Sequence, residues 1–335
     1  MKKAFALILA LTLMAASLLP CAALANSGRI NVVVTIFPIY DWVREIAGEN
    51  LENLNLTMLL DSGADLHNFQ PTAPDILKVS AADLFIFVGG ESDEWTEDVL
   101  ATAASAKRHI VNLVEALGDL AKAEELVEGM EHEHDHDHED EDHDHEDEGH
   151  DHEHEEAEMD EHVWLSLHNA QALCRVIAAE LCEIDPDHAA LYEANLAAYE
   201  EKLAALDQQY AEAVAASAFD TILFGDRFPF RYLADDYGLT YFAAFSGCSA
   251  ESEASFQTIV FLAGKVDELG LPAVLTIENP KARIAETIVQ TTKAKDQKIL
   301  SMDSMQSITS REVEQGVTYL AVMESNLEIL KQALN

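Results

Sequence analysis

The chain has 335 residues, 49% of them hydrophobic, enough to bury a sizeable core and long enough for about two domains. Its 20 Lys and Arg stand against 62 Asp and Glu, a formal net charge of -42. That balance excludes nucleic acid as a natural partner, because a phosphate backbone is held by basic clusters that are absent here, and it favours a cationic one.

Lys2 and Lys3 precede an apolar run from Ala4 to Leu19, and small residues follow up to Ala23-Leu24-Ala25, the pattern of a secretory signal over residues 1–25. The run is shorter than the roughly 20 residues of a membrane-spanning helix, so the expected product is an exported, soluble chain starting near Asn26, in the periplasm or at the extracytoplasmic surface. A lipid anchor at Cys21 is the rival reading, and Pro20 just before it argues against that processing site.

From Ile30 onward, short β-branched or apolar runs alternate with helical patterns, the signature of α/β layers on parallel sheets. Strands are predicted at Ile30–Ile36, Leu54–Leu60, Leu84–Val88 and Ile110–Val114. Helices are predicted at Tyr40–Ala47, Pro74–Ala81 opened by Thr72, and Trp95–Ala106. These belong to a first lobe over residues 26–186.

Between Glu131 and Glu158 almost every residue is His, Asp or Glu, a composition from which no packed core follows. Pattern returns at Val163, with a helix over Asn169–Glu183 that stops before Asp185-Pro186. A long helical pattern then covers 187–216, with Leu191, Asn195, Tyr199, Leu203, Leu206 and Tyr210 at spacings of three or four. Some thirty residues of helix span about 45 Å, enough to cross one lobe and join it to another. The second lobe, 217–335, repeats the α/β alternation. Its predicted strands are Thr221–Phe224, Thr240–Phe245, Ala273–Ile277 and Lys298–Met302, and its predicted helices are Phe230–Asp236, Ser255–Leu269, Ala282–Thr292 and Arg311–Leu334. The architecture is thus α/β: two lobes with parallel-type sheets, joined by one long rigid helix, with the cleft between them as the place for a ligand.

Without Cys21 the cysteines are Cys174, Cys182 and Cys248, an odd number with no C-x-x-C spacing, so neither a disulfide framework nor a four-thiolate zinc site follows. They read as buried thiols. The His-rich tract carries the strongest chemical signal: His132, His134, His136, His138, His143, His145, His150, His152 and His154, nearly all flanked by carboxylates. Imidazole with carboxylate suits zinc, and also nickel or copper, far better than magnesium or calcium. Such redundant ligands make several weak sites, a metal collector. Outside the tract, His67 falls in a loop between a predicted strand and helix, where open α/β sheets bind ligands, and His162 falls where regular pattern resumes.

The segment Gly63-Ala64-Asp65-Leu66-His67-Asn68-Phe69-Gln70-Pro71-Thr72, the segment Asp160-Glu161-His162-Val163-Trp164, and the His-rich insertion before the latter resemble the zinc and manganese substrate-binding proteins of ATP-binding-cassette importers, the cluster A-I family. The resemblance covers essentially the whole mature chain. It implies metal ligands at His67 and His162, a carboxylate ligand at Asp303 in Ile299-Leu300-Ser301-Met302-Asp303, and a rigid connecting helix at Tyr192, Asn195 and Tyr199. It also implies a closing C-terminal helix and a membrane permease of an ABC transporter as partner, with the binding protein acting as a monomer. One departure stands out. Where similar zinc-binding proteins have a third His and manganese-binding ones a Glu, this chain has Gly225-Asp226-Arg227. Arg cannot ligate a cation, so Asp226 is the expected third ligand, with Arg227 turned away from the metal toward a carboxylate; Glu278 is a further carboxylate at a strand end, where similar proteins usually have a structural Glu.

The cargo implied is Zn2+, with Mn2+ as the alternative, because the tract weighs toward zinc. A zinc hydrolase would need an open water position and a general base, and no H-E-x-x-H motif is present, so no enzyme activity is expected. Metal storage or buffering through the tract is the second reading. Surface adhesion, sometimes assigned to similar proteins, has no sequence feature for or against it.

Overall fold

The computed structural model describes residues 28–102, 108–130, 158–249, 253–278 and 282–335. The expected signal segment lies outside the described residues, as do all nine histidines of the acidic tract. No helix among the described residues is long and apolar enough to cross a membrane.

Four strands, β1 (Ile30–Val34), β2 (Leu54–Met58), β3 (Leu84–Phe87) and β4 (His109–Asn112), form a parallel sheet in the order β2-β1-β3-β4. β3 is Leu-Phe-Ile-Phe and buried throughout, the continuous apolar run of a strand covered on both faces. Helix α1 (Phe37–Ala47) starts three residues before the predicted Tyr40. Pro38 stands in its first turn, where a missing N–H is harmless. α2 (Ala73–Ser80) opens as expected on Thr72, which forms a reciprocal capping box with Asp75. α3 (Trp95–Thr102) and α4 (Leu113–Leu117) complete this part.

α5 (Leu167–Ile184) leads into α6 (Ala189–Ala215), a 27-residue helix about 40 Å long. Its buried side chains are Tyr192, Tyr199, Leu203, Leu206 and Tyr210, one face of the 3.6-residue period. That face packs on α1 and α5. The second sheet, β5 (Thr221–Phe228), β6 (Thr240–Ser246), β7 (Ala273–Thr276) and β8 (Lys298–Ser301), is also parallel, in the order β6-β5-β7-β8, with α7 (Arg231–Tyr237), α8 (Phe256–Leu269) and α9 (Arg283–Thr291) between strands.

Two expectations are corrected. β5 runs on to Phe228 instead of stopping at Phe224, so Gly225, Asp226 and Arg227 are strand residues. β5 is an inner strand, paired with β6 and β7, and its pairing with β6 resumes at Arg227 after a register shift, so backbone bonds extend it through a polar stretch that reads locally as a turn. The single helix expected over Arg311–Leu334 is two, α10 (Ser310–Glu314) and α11 (Tyr319–Ala333). Gly316 sits between them at φ 94°, a left-handed conformation that ends a helix, and Thr318 caps the next one through the Ala321 N–H.

α11 closes the molecule. The Tyr319 N–H donates to Asp41 Oδ2 of α1 at 2.8 Å, its hydroxyl donates to the Trp164 carbonyl at 2.7 Å, and its ring meets Trp42 edge-on with centroids 5.3 Å apart. Tyr210 of α6 donates to the Met323 carbonyl of α11. One apolar cluster therefore holds side chains of both sheets, and a smaller one lies between the second sheet and α8 and α9.

Candidate metal site

His67 lies just beyond β2, in a single 3-10 turn over Leu66–Asn68 that Asp65 caps by accepting the His67 N–H at 3.0 Å. His162 is delivered from the other side of the tract. An isolated antiparallel bridge between Ala123 and Met159, with the Glu124 N–H donating to the Glu158 carbonyl and the Asp160 N–H to the Lys122 carbonyl, fixes the segment as it returns. Asp160 Oδ1 then accepts the His162 N–H and lies 2.9 Å from His162 Nδ1. With an ion bound, a carboxylate at Nδ1 would hold the ring proton there and leave the Nε2 lone pair to the metal.

The two rings converge, His67 Nε2 standing 3.2 Å from His162 Nε2. Two imidazoles on one zinc ion, each at about 2.0–2.1 Å and separated by the tetrahedral angle, place their nitrogens roughly 3.3 Å apart. The separation is that of two ligands to one ion. His67 Nδ1 faces Ser92 Oγ at 2.8 Å and Glu161 Oε2 at 3.5 Å, while Glu161 Oε1 accepts the Ser92 N–H at 2.7 Å. Both rings thus have their far nitrogen on an oxygen partner. Burial pushes the His67 imidazole down to about 3, with His162 beside it adding to the shift and Asp65 opposing it, so the ring is neutral and able to bind a cation across the whole neutral range. Burial pushes the Glu161 carboxyl up to about 7 against its bonds from Ser92.

A third candidate donor, the Cys248 sulfur, lies beside them: it and one nitrogen from each of His67 and His162 are all within 4.8 Å of one another. A cavity of about 720 Å³ opens beside the cluster, lined by His67, Cys248, Glu91, Glu94, Glu161 and Glu158 among others, and so leads from the end of the tract to the ring of His67. Its acidic walls favour a cation.

The three carboxylates expected from sequence do not join this cluster. Neighbouring strand residues point to opposite faces, and Arg227 takes the face toward the histidines, placing Nη2 2.5 Å from Asp65 Oδ2. Asp226 is thereby turned away, where it is buried and accepts the backbone N–H groups of Arg227 and Ile277. Arg227 does pair with a carboxylate as expected, but it does not point away from the histidines, and its charge reaches His67 and lowers that ring's basicity. Glu278 accepts the N–H and hydroxyl of Ser304, at 2.7 and 2.5 Å, and so ties the end of β7 to the loop after β8. Asp303 folds onto its own turn, accepting the Met305 N–H at 2.7 Å.

Gln306, three residues further on and buried, takes the place beside His162 instead. With its NH2 donating to both oxygens of Asp65 at 3.1 Å, its carbonyl oxygen accepts from His162 Nε2 at 2.6 Å, a bond that a metal ion on Nε2 would replace. Gln306 escaped the sequence reading because it stands in no recognisable motif, and Cys248, which stands in none either, is from sequence only a fallback with Glu278 or water should Asp226 not bind. Ser92 and Asp65 are second partners that only the folded loops bring to the rings.

Residues 32–333 match the profile of a family described as zinc-uptake complex component A, periplasmic. The chain belongs to this ZnuA family. It is 32% identical over 305 residues to the zinc-binding lipoprotein AdcA of Streptococcus pneumoniae, covering 91% of this chain but 56% of AdcA, so it spans about half the length of that relative. To the high-affinity zinc uptake system protein ZnuA of Bacillus subtilis it is 28% identical over 310 residues, covering 92% of this chain and 89% of that one. The Zn(II)-bound ZnuA-like domain of S. pneumoniae AdcA superposes with a TM-score of 0.68 at 27% identity, covering 92% of this chain and 99% of the domain. The two-lobed α/β architecture is therefore that of the ZnuA-like solute-binding proteins.

Proposed function

We propose that this chain captures zinc between its two lobes on His67 and His162 and delivers it to the membrane permease of an ATP-binding-cassette importer. The carrying observation is the 3.2 Å separation of the two Nε2 atoms, with each Nδ1 already engaged by an oxygen partner. The zinc-binding and zinc-uptake names of AdcA and ZnuA support the same cargo. Zinc here is cargo rather than a catalyst, and capture requires neither an open water position nor a general base. The signal-like first 25 residues support export, and the His-rich tract is a collector that raises the local metal concentration beside the acidic cavity.

Zinc titration of the mature protein by competition with a chelating dye tests this. One tight site is expected, weakened by well over tenfold, or about 1.4 kcal/mol, in both His67→Ala and His162→Ala. Parent affinity in both variants would overturn the reading. Tight binding that resides wholly in the tract would point instead to storage.

A further inference from the structure

We infer that Cys248 binds the captured ion as a thiolate, making a two-histidine, one-sulfur centre that selects zinc and softer divalent cations over manganese. This rests on the zinc-capture reading and goes beyond it by assigning the third ligand and the basis of metal choice.

Geometry comes first. Among the described residues, the Cys248 sulfur is the donor that shares one 4.8 Å neighbourhood with His67 and His162, and no Asp or Glu oxygen does. Its position is built rather than incidental. Cys248 follows β6 through Gly247, and a Cβ at 247 would stand 2.9 Å from His162 Cε1 and 3.0 Å from the Phe228 carbonyl oxygen. Only a residue without a side chain lets this loop lie against the imidazole, and the next side chain then falls at the metal position. The Cys248 N–H donates to Glu124 Oε1 at 3.1 Å, and the backbone N–H of Glu161 faces the sulfur, so the loop is held on both sides.

Burial, with the carboxylates of Glu124, Glu161 and Asp160 nearby, keeps the metal-free Cys248 thiol protonated, so the charge of the ion itself must draw out the thiolate. Two neutral imidazoles would leave a zinc ion with its full double charge close to the Arg227 guanidinium, whose charge already reaches His67. A thiolate neutralises half of that charge at the ion itself. On binding, the S–H bond is replaced by an S–metal bond and the proton leaves to bulk buffer, with no change in oxidation state. Imidazole and thiolate together suit zinc, whereas manganese prefers carboxylate, carbonyl and water oxygens. Had Asp226, Glu278 and Asp303 supplied the remaining ligands, manganese would fit; with sulfur in their place it does not.

Cobalt(II) is the probe, added to the full mature chain under reducing, oxygen-free conditions. The expected spectrum has visible bands of tetrahedral intensity together with a strong near-ultraviolet thiolate-to-cobalt charge-transfer band, which the tract's imidazoles cannot produce. Cys248→Ser should abolish the charge-transfer band, weaken zinc about tenfold or more, and reduce the zinc-over-manganese preference by a similar factor. Cys248→Ala, with unfolding curves of both metal-free variants, guards against a mere folding defect; if neither variant folds, the parent cobalt spectrum decides. A parent spectrum without the charge-transfer band, or unchanged zinc affinity and metal preference in folded variants, would overturn the sulfur assignment. Should His67→Ala still lose zinc in that case, capture stands and only the sulfur ligand falls.

Discussion

Arg227 of β5 and Asp65 of the loop that carries His67 meet at 2.5 Å, an ion pair between the second sheet and the first lobe beside the histidine pair. Burial alone would raise the Asp65 carboxyl, but the Arg227 guanidinium outweighs it and holds the carboxyl below its usual range. With side chains only 14% and 24% exposed, the pair is screened far less than a surface bridge. Replacing Arg227 with Gln should lower unfolding stability by about 1–3 kcal/mol, because it leaves a partly buried carboxylate without its cation. The same change should tighten zinc about threefold or more, since a positive charge leaves the ion's surroundings and Asp65 is unmasked. Paired urea unfolding and zinc titration read both effects. Weaker zinc binding in this variant would show that Arg227 organises the site rather than opposing the cation.

Asp160 orients His162 through Nδ1 at 2.9 Å and caps the same residue's N–H. Asp160→Asn keeps the shape and one acceptor but removes the charge that fixes the ring proton on Nδ1. Zinc affinity should fall about 10–100-fold with little change in the metal-free fold. An affinity within twofold of the parent, measured by dye competition, would assign Asp160 a local structural role only.

Gly247→Ala tests the close approach on which Cys248 depends. The added Cβ would meet His162 Cε1 at 2.9 Å, and the buried ring has no room to withdraw. Overpacking of this kind destabilises by about 1–3 kcal/mol, and the loop must shift Cys248 away from the rings. Thermal unfolding and cobalt spectra together should show a lower midpoint and a weaker charge-transfer band. Parent-like spectra would mean that the sulfur reaches the ion without this packing.

Deleting residues 132–156 should leave the tight site in place while total bound zinc falls. The segment that presents His162 is anchored outside the tract, by the Ala123–Met159 bridge and the flanking backbone bonds of Glu124 and Asp160. The tract's own weak sites need neutral imidazole, so their share of binding should fade as pH drops through about 6.5. Equilibrium dialysis at two pH values separates the populations, and loss of the tight site on deletion would show that capture depends on the tract.

Asp41 gives stability a pH dependence of known sign. It is 1% exposed, and burial pushes it up to about 6, against the opposing bonds from the Tyr319 N–H and the nearby Arg44. Its unfolded value is the ordinary 3.8, so between 3.8 and about 6 the folded chain holds the extra proton. The contribution is full below 3.8 and is lost as pH rises through 6. From pH 4 to 7, Asp41→Asn should therefore gain stability relative to the parent by on the order of 2 kcal/mol. Urea midpoints at several pH values check this, and a difference that stays flat would place the Asp41 carboxyl at its ordinary value in the fold.

Local chemistry in the sequence was enough for the α/β alternation, the two sheets and the long helix, because apolar period and capping residues act within a few positions: Thr72 opens α2, and Tyr192 to Tyr210 mark one buried face. His67 and His162, the proposed ligands, stood out for the same reason, each carried by a short contiguous motif. The end of β5 was not, since only pairing on both sides makes a strand of Gly225-Asp226-Arg227. Nor was the rest of the proposed donor set. Asp226, Glu278 and Asp303 have the right chemistry for a metal, but whether a carboxylate meets an ion depends on which backbone N–H groups it satisfies first, and those belong to Arg227 and Ile277, Ser304, and Met305. Cys248, in a stretch with no motif, reaches the histidines because a glycine lets a loop from the second sheet lie against a ring delivered by the first lobe. Residue types and periods determined which chemistry this protein could perform and on what scaffold; distances between segments far apart in the chain, set by packing and backbone satisfaction, decided which side chains meet.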